Sequence, residues 1–390
     1  MTTTISIVGA GHTKFGRLDC SFEQLIIDAT REAVSDANLD PAAIDAVFLG
    51  HFNSGMVPDG FASSLVHQAY PELRFTPAMR AENACASGSA AIHAGINAIR
   101  SGQAKTVLVV GAEKMTHRST EDVTRSLAGA GYQNDPVESG LSFPQVFAIA
   151  AREYASRYGS PLDAMAHISV KNHANAMQNP LAQMQREFTF AEASEVSDRN
   201  PEIAPPLRLT DCSLVTDGAA AIVLTSAESA AGFDRAVEFR AAEHVSDFLP
   251  MSQRDFLAFE GPALAFQRAF DAAGVQLSNI DFAEVHDCFT IAELLTYEAM
   301  GLTAKGKGAE ALESGAVYRG GALPVNLSGG LKAKGHPVGA TGVSMHALAF
   351  RQLTGGAGSL QLPGARCGLI FNMGGSAVAN YVSVLQTQKA

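Results

Sequence analysis

Two segments of this chain repeat each other at a fixed separation. The first runs Ala37-Asn-Leu-Asp-Pro-Ala-Ala-Ile-Asp45 and the second Ala273-Gly-Val-Gln-Leu-Ser-Asn-Ile-Asp281, a displacement of 236 positions (281 − 45). Each segment follows an apolar helical pattern and precedes a strand pattern. Duplication of one β/α unit is the simplest explanation. The chain of 390 residues is long enough for two such units, so the sequence predicts an α/β protein built from two similar halves.

Two helix starts occupy corresponding places in these halves. Ser87-Gly88 opens a helix before the strand at Thr106, and Thr341-Gly342 opens one before the strand at Leu369. If the halves pack face to face, the two helix starts meet at a central site. We therefore expect residues near position 85 to lie close to the loop 326–342 despite their distance in sequence.

Cys85 lies in a run of small residues, Glu82-Asn-Ala-Cys-Ala-Ser-Gly-Ser89. The helical spacing of Ile92, Ile96 and Ile99 places Cys85 at or just before a helix N-terminus. Free N–H groups and the positive end of the helix dipole would favour a thiolate there. The run also fits a buried structural cysteine in a tightly packed helix start.

Three further stretches combine glycines or strand ends with reactive side chains: Ala283–Thr290, Asn326–Gly342 and Phe371–Ser376. His286 and Cys288 follow a strand, where α/β sites form. His336 is followed by proline within a glycine-rich loop, and Gly374 opens a glycine turn after a strand. Each stretch alone has a structural explanation, as a packed strand end, a surface turn or a hairpin. Their joint occurrence in a duplicated frame favours a catalytic site.

Together these stretches resemble the active-site motifs of the thiolase superfamily. The stretch around Cys85 is similar to the nucleophile motif, Gly335-His336-Pro337 to the catalytic histidine motif, and the turn at Gly374 to the C-terminal glycine motif. The motifs occur in the family's order, and the resemblance extends over essentially the whole chain. It implies the thiolase fold: duplicated βαβ halves in five α/β/α/β/α layers with an inserted loop domain.

One departure from typical thiolases narrows the resemblance. They carry Asn-Glu-Ala-Phe where this chain has His286-Asp-Cys288-Phe, and Cys-x-Gly where it has Asn372-Met-Gly374. This combination is similar to the sterol-carrier-protein-type thiolases and related acetyl-CoA acetyltransferases. In that branch the second catalytic cysteine comes from the His-Asp-Cys-Phe segment. Cys367 has the wrong offset and is interpreted as a core residue.

The resemblance also implies a division of the chain. Regular alternation of strands and helices breaks down between 117 and 199. We predict an N-terminal half formed by 1–116 and 200–245, an inserted loop domain at 117–199, and a C-terminal half at 246–390.

The implied activity is that of an acyl-CoA C-acyltransferase, with Cys85 carrying the acyl group. His336 takes the thiol proton, and Cys288 moves a second proton to or from the α-carbon. His286 and His336 supply N–H donors to the enolate oxygen. The tetrahedral intermediate is held by the backbone N–H groups of Cys85 and Gly374, and such donors typically contribute about 3 kcal/mol each.

Coenzyme A and acyl-CoA are expected as substrates, with no permanently bound cofactor. By resemblance CoA lies along 117–199 and touches Ser213 through its pantetheine. Candidates for the phosphate contacts are Arg118, Arg152, Lys171 and Arg186. The apolar side chains of this region could line an acyl pocket or belong to an ordinary core: Phe143, Phe147, Met165, Met177 and Met184.

Three other functions fit part of the pattern. A decarboxylating condensing enzyme of the ketoacyl-synthase kind uses one cysteine and two histidines, but has no need of Cys288. A thiolase relative that cleaves a steroid side chain by retro-aldol chemistry tends to lose the thiolase cysteines, and this chain keeps both. A non-catalytic lipid carrier or scaffold would not need Cys85, Cys288 and His336.

Composition limits the partners and the compartment. The net charge of −11 argues against nucleic acid as the main partner. The five cysteines are odd in number and lack a Cys-x-x-Cys pair, which favours free thiols over disulfides or a zinc site. With no signal peptide or membrane-span pattern, we expect a cytoplasmic protein. The resemblance implies a homodimer or homotetramer, with a small accessory subunit as an open question.

Overall fold

The computed structural model describes residues 3–387. The strands are β1 (Ile5–His12), β2 (Ala46–Gly50), β3 (Ala78–Ala81), β4 (Thr106–Glu113), β5 (Glu202–Ala204), β6 (Leu207–Arg208), β7 (Gly218–Ser226), β8 (Val237–Ser246), β9 (Phe282–Glu284), β10 (Cys367–Gly374) and β11 (Ala379–Thr387). The α-helices are α1 (Phe22–Asp36), α2 (Ser87–Arg100), α3 (Thr120–Ala128), α4 (Phe143–Tyr158), α5 (Leu162–Ala176), α6 (Phe190–Ser194), α7 (Ala227–Ala230), α8 (Glu260–Ala273), α9 (Thr290–Ala299), α10 (Glu310–Glu313) and α11 (Thr341–Leu353). Between residues 3 and 387, no helix combines the length and the apolar character that crossing a bilayer requires.

The strands follow the order β3-β2-β4-β7-β1-β8-β11-β10-β9. The link between β1 and β8 consists of two residue pairs, Ser6 with Glu238 and Ile7 with Val237. It joins a first half, β3-β2-β4-β7-β1, to a second half, β8-β11-β10-β9. Corresponding strand pairs of the two halves have the same relative direction. The pairs β2–β4 and β9–β10 are parallel, whereas β4–β7 and β7–β1 in the first half, and β10–β11 and β11–β8 in the second, are antiparallel. This agreement confirms the predicted duplication.

The repeated segment ends in an aspartate that makes equivalent hydrogen bonds in both halves. Asp45 Oδ2 accepts hydrogen bonds of 2.7 and 2.9 Å from the backbone N–H groups of residues 105–106. Asp281 Oδ2 accepts bonds of the same lengths from residues 366–367. Each carboxylate ties the start of one parallel strand to the start of its neighbour, which accounts for the repeat of this residue at a fixed separation.

Five layers are packed through three apolar cores, of which the middle one extends to both sides of the central helices. Helix α1 covers one outer face of the first half, and α8 covers an outer face of the second. Helices α2 and α11 pack against each other between the two halves, where Ile92, Ile96 and Ile99 join the middle core as predicted. The five-layer α/β arrangement expected from the resemblance is therefore confirmed.

Residues 117–199 are mainly helical and carry α3, α4, α5 and α6. The longest of these helices, α4, begins at Phe143 and ends at Tyr158. Phe147 and Met165 are fully buried in the core that also contains α9, so these two side chains are core residues. The predicted division of the chain at 116, 199 and 245 remains a prediction.

The starts of α2 and α11 touch at the centre of the molecule, as expected. A Cβ atom on Gly88 would lie 2.9 Å from the carbonyl oxygen of Gly339 and from the backbone nitrogen of Val343. A Cβ atom on Gly342 would lie 2.6 Å from Asn372 Oδ1 and closer still to Ser89. Both separations are below van der Waals contact, so only glycine allows the helices to approach this closely.

We expect Gly342→Ala to lower the free energy of unfolding by about 1–3 kcal/mol, because the added methyl group forces apart backbone that cannot yield cheaply. Gly320→Ala is the matched control, since a Cβ atom there meets nothing within 4 Å. Chemical denaturation of both variants measures the difference. Equal stability of the two would contradict the close approach described for α2 and α11.

Candidate active site

Cys85 lies in a sharp turn that leads into α2. The preceding Ala84 has a φ of 50°, in the left-handed region. Ser87 holds the turn: its hydroxyl accepts from the N–H of Asn83 at 2.9 Å and donates to the carbonyl of Ala84 at 2.6 Å. The cysteine therefore stands two residues before the first residue of the helix, where the sequence predicted it.

Cys85 is joined by two histidines from the second half. His286 follows β9, and His336 lies in the loop before α11. One ligating atom from each of the three side chains lies within 4.8 Å of the other two. The imidazole rings are perpendicular, at 89°, with centroids 5.1 Å apart. The structure thus brings together three residues that the sequence predicted to be catalytic, and this sulfur with two nitrogens is also a set that could hold a metal ion.

His336 is oriented by the hydroxyl of Thr341. Thr341 Oγ1 lies 2.7 Å from Nδ1 of His336 and donates to the carbonyl oxygen of Pro337 at 3.0 Å. Because the hydroxyl proton is used there, Oγ1 accepts from His336, which assigns the proton of the neutral ring to Nδ1. Nε2 then carries a lone pair, and it is buried without a hydrogen-bond partner among the described residues.

His286 contacts Asn372 on β10. The side-chain nitrogen of Asn372 lies 2.9 Å from Nδ1 of His286, and the opposite nitrogen, Nε2, is buried with no partner in the part of the chain described. From the sequence, Asn372 was identified only as a departure from the Cys-x-Gly motif of typical thiolases, and it was assigned no role. Its contact depends on how β10 is registered against β9, which no local pattern reveals.

Burial sets the resting protonation of the site. It raises the pKa of Cys85 to about 12, despite a hydrogen bond from the backbone N–H of Gly375 that acts in the opposite direction. Burial, followed by the charge of Lys334, lowers the pKa of His336 to about 3. The resting pair is therefore a neutral thiol and a neutral imidazole. The expectation that the helix start favours a thiolate is wrong here, because desolvation outweighs the nearby N–H groups.

Gly374 and Gly375 bring backbone against the nucleophile. A Cβ atom on Gly374 would overlap the carbonyl oxygen of Asn83, so the end of β10 can pack on the turn around Cys85 only as glycine. Gly375 has a φ of 63° and directs its N–H to the sulfur. Sequence reasoning had missed Gly375. The role assigned to the N–H of Gly374 remains a prediction.

Cys288 is a neighbour of the three-residue group and does not belong to it. Its side chain is buried, and burial, followed by the charge of Cys85, raises its pKa well above the usual value. Asp287 lies between His286 and Cys288 in the chain and accepts from the N–H groups of residues 331–332 at 2.6 and 3.2 Å. These bonds fix the short connection between β9 and α9, which carries His286 and Cys288, against the backbone of residues 331–332.

A buried polar network supports this segment from behind. The amide of Asn172 on α5 donates to Asp287 and to Glu293, both at 2.7 Å. Lys171 pairs with Glu293 at 2.8 Å. Burial, followed by the charge of Glu293, raises the pKa of Asp287 to about 7. Lys171, one of the four candidates for CoA phosphate contacts, is therefore a buried structural cation, and α5 is tied to the catalytic segment.

A cavity of about 270 Å³ lies behind the segment that carries Cys288, although none of Cys85, His286, Cys288 and His336 lines it. It is lined by Met184, Arg186, Phe188, Glu192, Ser197, Arg199, Asn200, Leu209, Thr210, Cys212, Ser213, Leu214 and Lys332. The backbone N–H of Ser213 donates to the carbonyl of Cys288 at 2.9 Å, which joins the cavity wall to the catalytic segment. Of the predicted CoA residues, Ser213 and Arg186 reach this cavity, as does Met184. Lys332 was not predicted; it is buried, and burial lowers its pKa.

An apolar cluster packs against Cys85 on another side. It contains Met56, Met115, Val123 and Val338, each with 1% of its surface exposed. These residues come from four separate segments, so no sequence pattern could have grouped them. They place hydrocarbon, in addition to the two imidazoles, beside the nucleophile.

Comparisons with known proteins agree with this geometry. The thiolase N-terminal domain model matches residues 5–228, and the thiolase C-terminal domain-like model matches 242–387. The acetyl-CoA acetyltransferase of Methanothermobacter thermautotrophicus is 38% identical over 376 residues, covering 95% of this chain and 96% of that protein. Sterol carrier protein 2 of Oryctolagus cuniculus is 34% identical over 405 residues, covering 96% of this chain and 71% of that protein.

Solved structures share the fold at low sequence identity. An Ltp2-ChsH2(DUF35) aldolase superposes with a TM-score of 0.82 at 22% identity, covering 100% of this chain and 99% of that one. Human mitochondrial 3-ketoacyl-CoA thiolase in complex with CoA gives 0.72 at 18%, covering 99% and 98%. The two domain models together span nearly the whole chain, and Cys85, His286 and His336 lie in one site. The chain therefore belongs to the thiolase family.

Proposed function

We propose that the protein is an acyl-CoA C-acyltransferase that works through an acyl group on Cys85. It cleaves 3-ketoacyl-CoA with CoA or, in reverse, condenses two acyl-CoA molecules. The observation that carries the proposal is the meeting of the Cys85 thiol with the imidazoles of His286 and His336 within 4.8 Å. The relative from Methanothermobacter, named an acetyl-CoA acetyltransferase, supports the same chemistry.

The first half-reaction transfers the acyl group to Cys85. The thiol proton moves to Nε2 of His336, whose lone pair is free, as the sulfur attacks the carbonyl carbon. The charge that develops on the carbonyl oxygen is stabilised by N–H donors, for which the backbone at Cys85 and Gly374 is our candidate. In synthesis, CoA leaves with the proton that His336 holds. Because the resting pair is neutral, deprotonation is coupled to attack and does not precede it.

Cys288 serves the second proton transfer. In synthesis the Cys288 sulfur acts as a thiolate and removes a proton from the α-carbon of a second acyl-CoA. The carbanion attacks the acyl group on Cys85, and the departing Cys85 sulfur takes up the proton that Cys288 received. In cleavage the Cys288 thiol returns that proton to the leaving enolate. The imidazoles of His286 and His336 face the same space. Because Nε2 of neutral His336 carries a lone pair, the N–H donor for the enolate oxygen is assigned to His286. The raised pKa of Cys288 suits an acid that must hold its proton until the enolate forms.

The cavity beside Ser213 is the proposed place for CoA. Its wall contains Arg186, Lys332 and Ser213, and the N–H of Ser213 is hydrogen-bonded to the carbonyl of Cys288. These cations suit the phosphates of CoA, while the cluster around Met56 and Met115 suits an acyl chain. A retained Cys288 and the close relatives' activity favour this function over a decarboxylating synthase, a retro-aldol lyase or a scaffold.

We further propose a cytoplasmic homodimer. Strand β3 ends the sheet and pairs on one side, with β2. Large apolar side chains lie exposed on or near it: Phe61 (84%), Phe75 (85%) and Met79 (54%). An open edge with apolar side chains suits pairing with a second copy. A homotetramer or a small accessory subunit is compatible with the remaining surface.

We expect Cys288→Ala to reduce CoA-dependent cleavage of acetoacetyl-CoA by about 10²–10⁴-fold, the usual contribution of an acid/base group. Acetylation of Cys85 by acetyl-CoA, measured by mass spectrometry, should persist because that step uses His336. Cys367→Ala, which truncates another buried cysteine, is the matched control and should retain activity. Condensation from a malonyl thioester that survives Cys288→Ala, with no cleavage by the wild type, would instead indicate a decarboxylating synthase.

The neutral resting pair predicts a particular pH dependence. A thiol with a pKa of about 12 gains thiolate with rising pH throughout the accessible range. Alkylation of Cys85 by iodoacetamide should therefore accelerate about tenfold per pH unit from about pH 7 to about pH 10, whereas a free cysteine levels off near its pKa of about 8.5. Mass spectrometry of the Cys85 peptide gives the rate. A plateau below about pH 8 would show a thiolate–imidazolium pair at rest.

Met79→Lys should convert the dimer to a monomer, because a charged side chain on an edge strand opposes pairing. Phe248→Lys is the control, since Phe248 is also exposed (62%) but lies far from β3 in sequence. Light scattering after size-exclusion chromatography gives the mass of each. A monomeric wild type, or a dimer that both variants leave intact, would refute assembly through β3.

A further inference from the structure

The group formed by Cys85, His286 and His336 is suited both to binding a metal ion and to catalysis without one. One sulfur and two imidazole nitrogens within 4.8 Å are ordinary ligands of zinc. Catalysis requires the same three groups to stay free of metal. Zinc binding needs a lone pair on each nitrogen and a deprotonated sulfur. His336 presents a lone pair at Nε2, so the outcome depends on which nitrogen of His286 carries the proton.

The side-chain amide of Asn372 determines which nitrogen of His286 carries the proton. Its side chain is fully buried on β10. The amide nitrogen donates to the carbonyl oxygen of Cys85 at 3.3 Å, and the amide oxygen accepts from the hydroxyl of Ser89 at 2.8 Å. A backbone carbonyl can only accept, so it fixes which side of the amide is nitrogen. The second hydrogen of that nitrogen points at Nδ1 of His286, 2.9 Å away.

The proton on His286 follows from this arrangement. Since Asn372 donates to Nδ1, this nitrogen is an acceptor, and the proton of the neutral ring lies on Nε2. His286 therefore offers an N–H to the reaction space, while His336 offers a lone pair through the opposite tautomer. Two perpendicular imidazoles of the same chemical type thus face the nucleophile with opposite hydrogen-bonding character.

We propose that Asn372 is a positioning residue that holds His286 as the Nε2–H tautomer, which provides a hydrogen-bond donor for the substrate oxygen and prevents the Cys85–His286–His336 group from closing on a zinc-like ion. The first consequence rests on the proposed acyltransferase function. The second does not, because it concerns the ligand properties of the site alone.

Asn372→Asp tests the proposal with almost no change in size. A carboxylate can only accept, so it draws the proton of His286 to Nδ1 and frees the lone pair of Nε2. Titration with Co²⁺, a coloured substitute for Zn²⁺, should then give sulfur-to-cobalt charge-transfer absorption at one equivalent in the variant and none in the wild type. Adding Cys85→Ala to the variant should abolish the signal, and Zn²⁺ should displace it.

Kinetics supply the second readout. With chelator present to exclude metal, Asn372→Asp should lower kcat for acetoacetyl-CoA cleavage by about 10²–10³-fold, the usual loss for one oxyanion donor. KM should change little, because the substrate still binds through the cavity. A residue that only supported packing would not create a metal site, so the absorption separates positioning from general damage.

A measurement on the wild type tests the proposal even if Asn372→Asp does not fold. Long-range ¹H–¹⁵N spectra of ¹⁵N-histidine-labelled protein report the tautomer directly, with His286→Gln identifying the resonance. A proton on Nε2 of His286 is expected. A proton on Nδ1, cobalt binding by the wild type at this group, or a folded Asn372→Asp with wild-type kcat would each overturn the proposal. If the wild type showed no acyltransferase activity, the proposed function would fail while the tautomer and metal readouts still decided this inference.

Discussion

The active site depends on the direct contact between the starts of α2 and α11. Gly88 and Gly342 have no side chains to hold these helices apart, so the first half can deliver Cys85 to the histidines of the second. Each half alone contains only part of the site: Cys85 comes from one, and both imidazoles and Cys288 come from the other. The duplicated halves are therefore similar in frame but not in function, and the site exists only where they meet.

Around this contact, local anchoring groups give each reactive atom its direction. Asp287 accepts hydrogen bonds from the backbone of 331–332 and thereby anchors the segment that carries His286 and Cys288. Thr341 orients one imidazole and Asn372 the other. The polar network on α5 anchors the same segment from the far side. Such groups need not contact the substrate themselves, because they orient the side chains that do.

Much of this could be predicted from sequence, because the informative signals were local. The repeated segment ending in Asp45 and Asp281 predicted two halves, and the pattern after Cys85 predicted its place before a helix. The partners of the histidines could not be predicted, since the pairing of Asn372 with His286 follows from strand register. The thiol state of Cys85 was missed because helix-start chemistry is visible in sequence, whereas desolvation by segments distant in the chain is not. Lys171 was misjudged for the same reason.

The protonated resting state of Cys85 also bears on how the enzyme survives in its surroundings. Peroxides and other mild oxidants react with thiolates and spare thiols. A cysteine whose pKa burial raises to about 12 keeps its sulfur mainly as the thiol, the form that these oxidants attack slowly. In the proposed mechanism, reactivity arises when an acyl thioester enters and the proton moves to His336. The desolvation that keeps Cys85 in its less reactive thiol form thus also makes this cysteine less sensitive to oxidation.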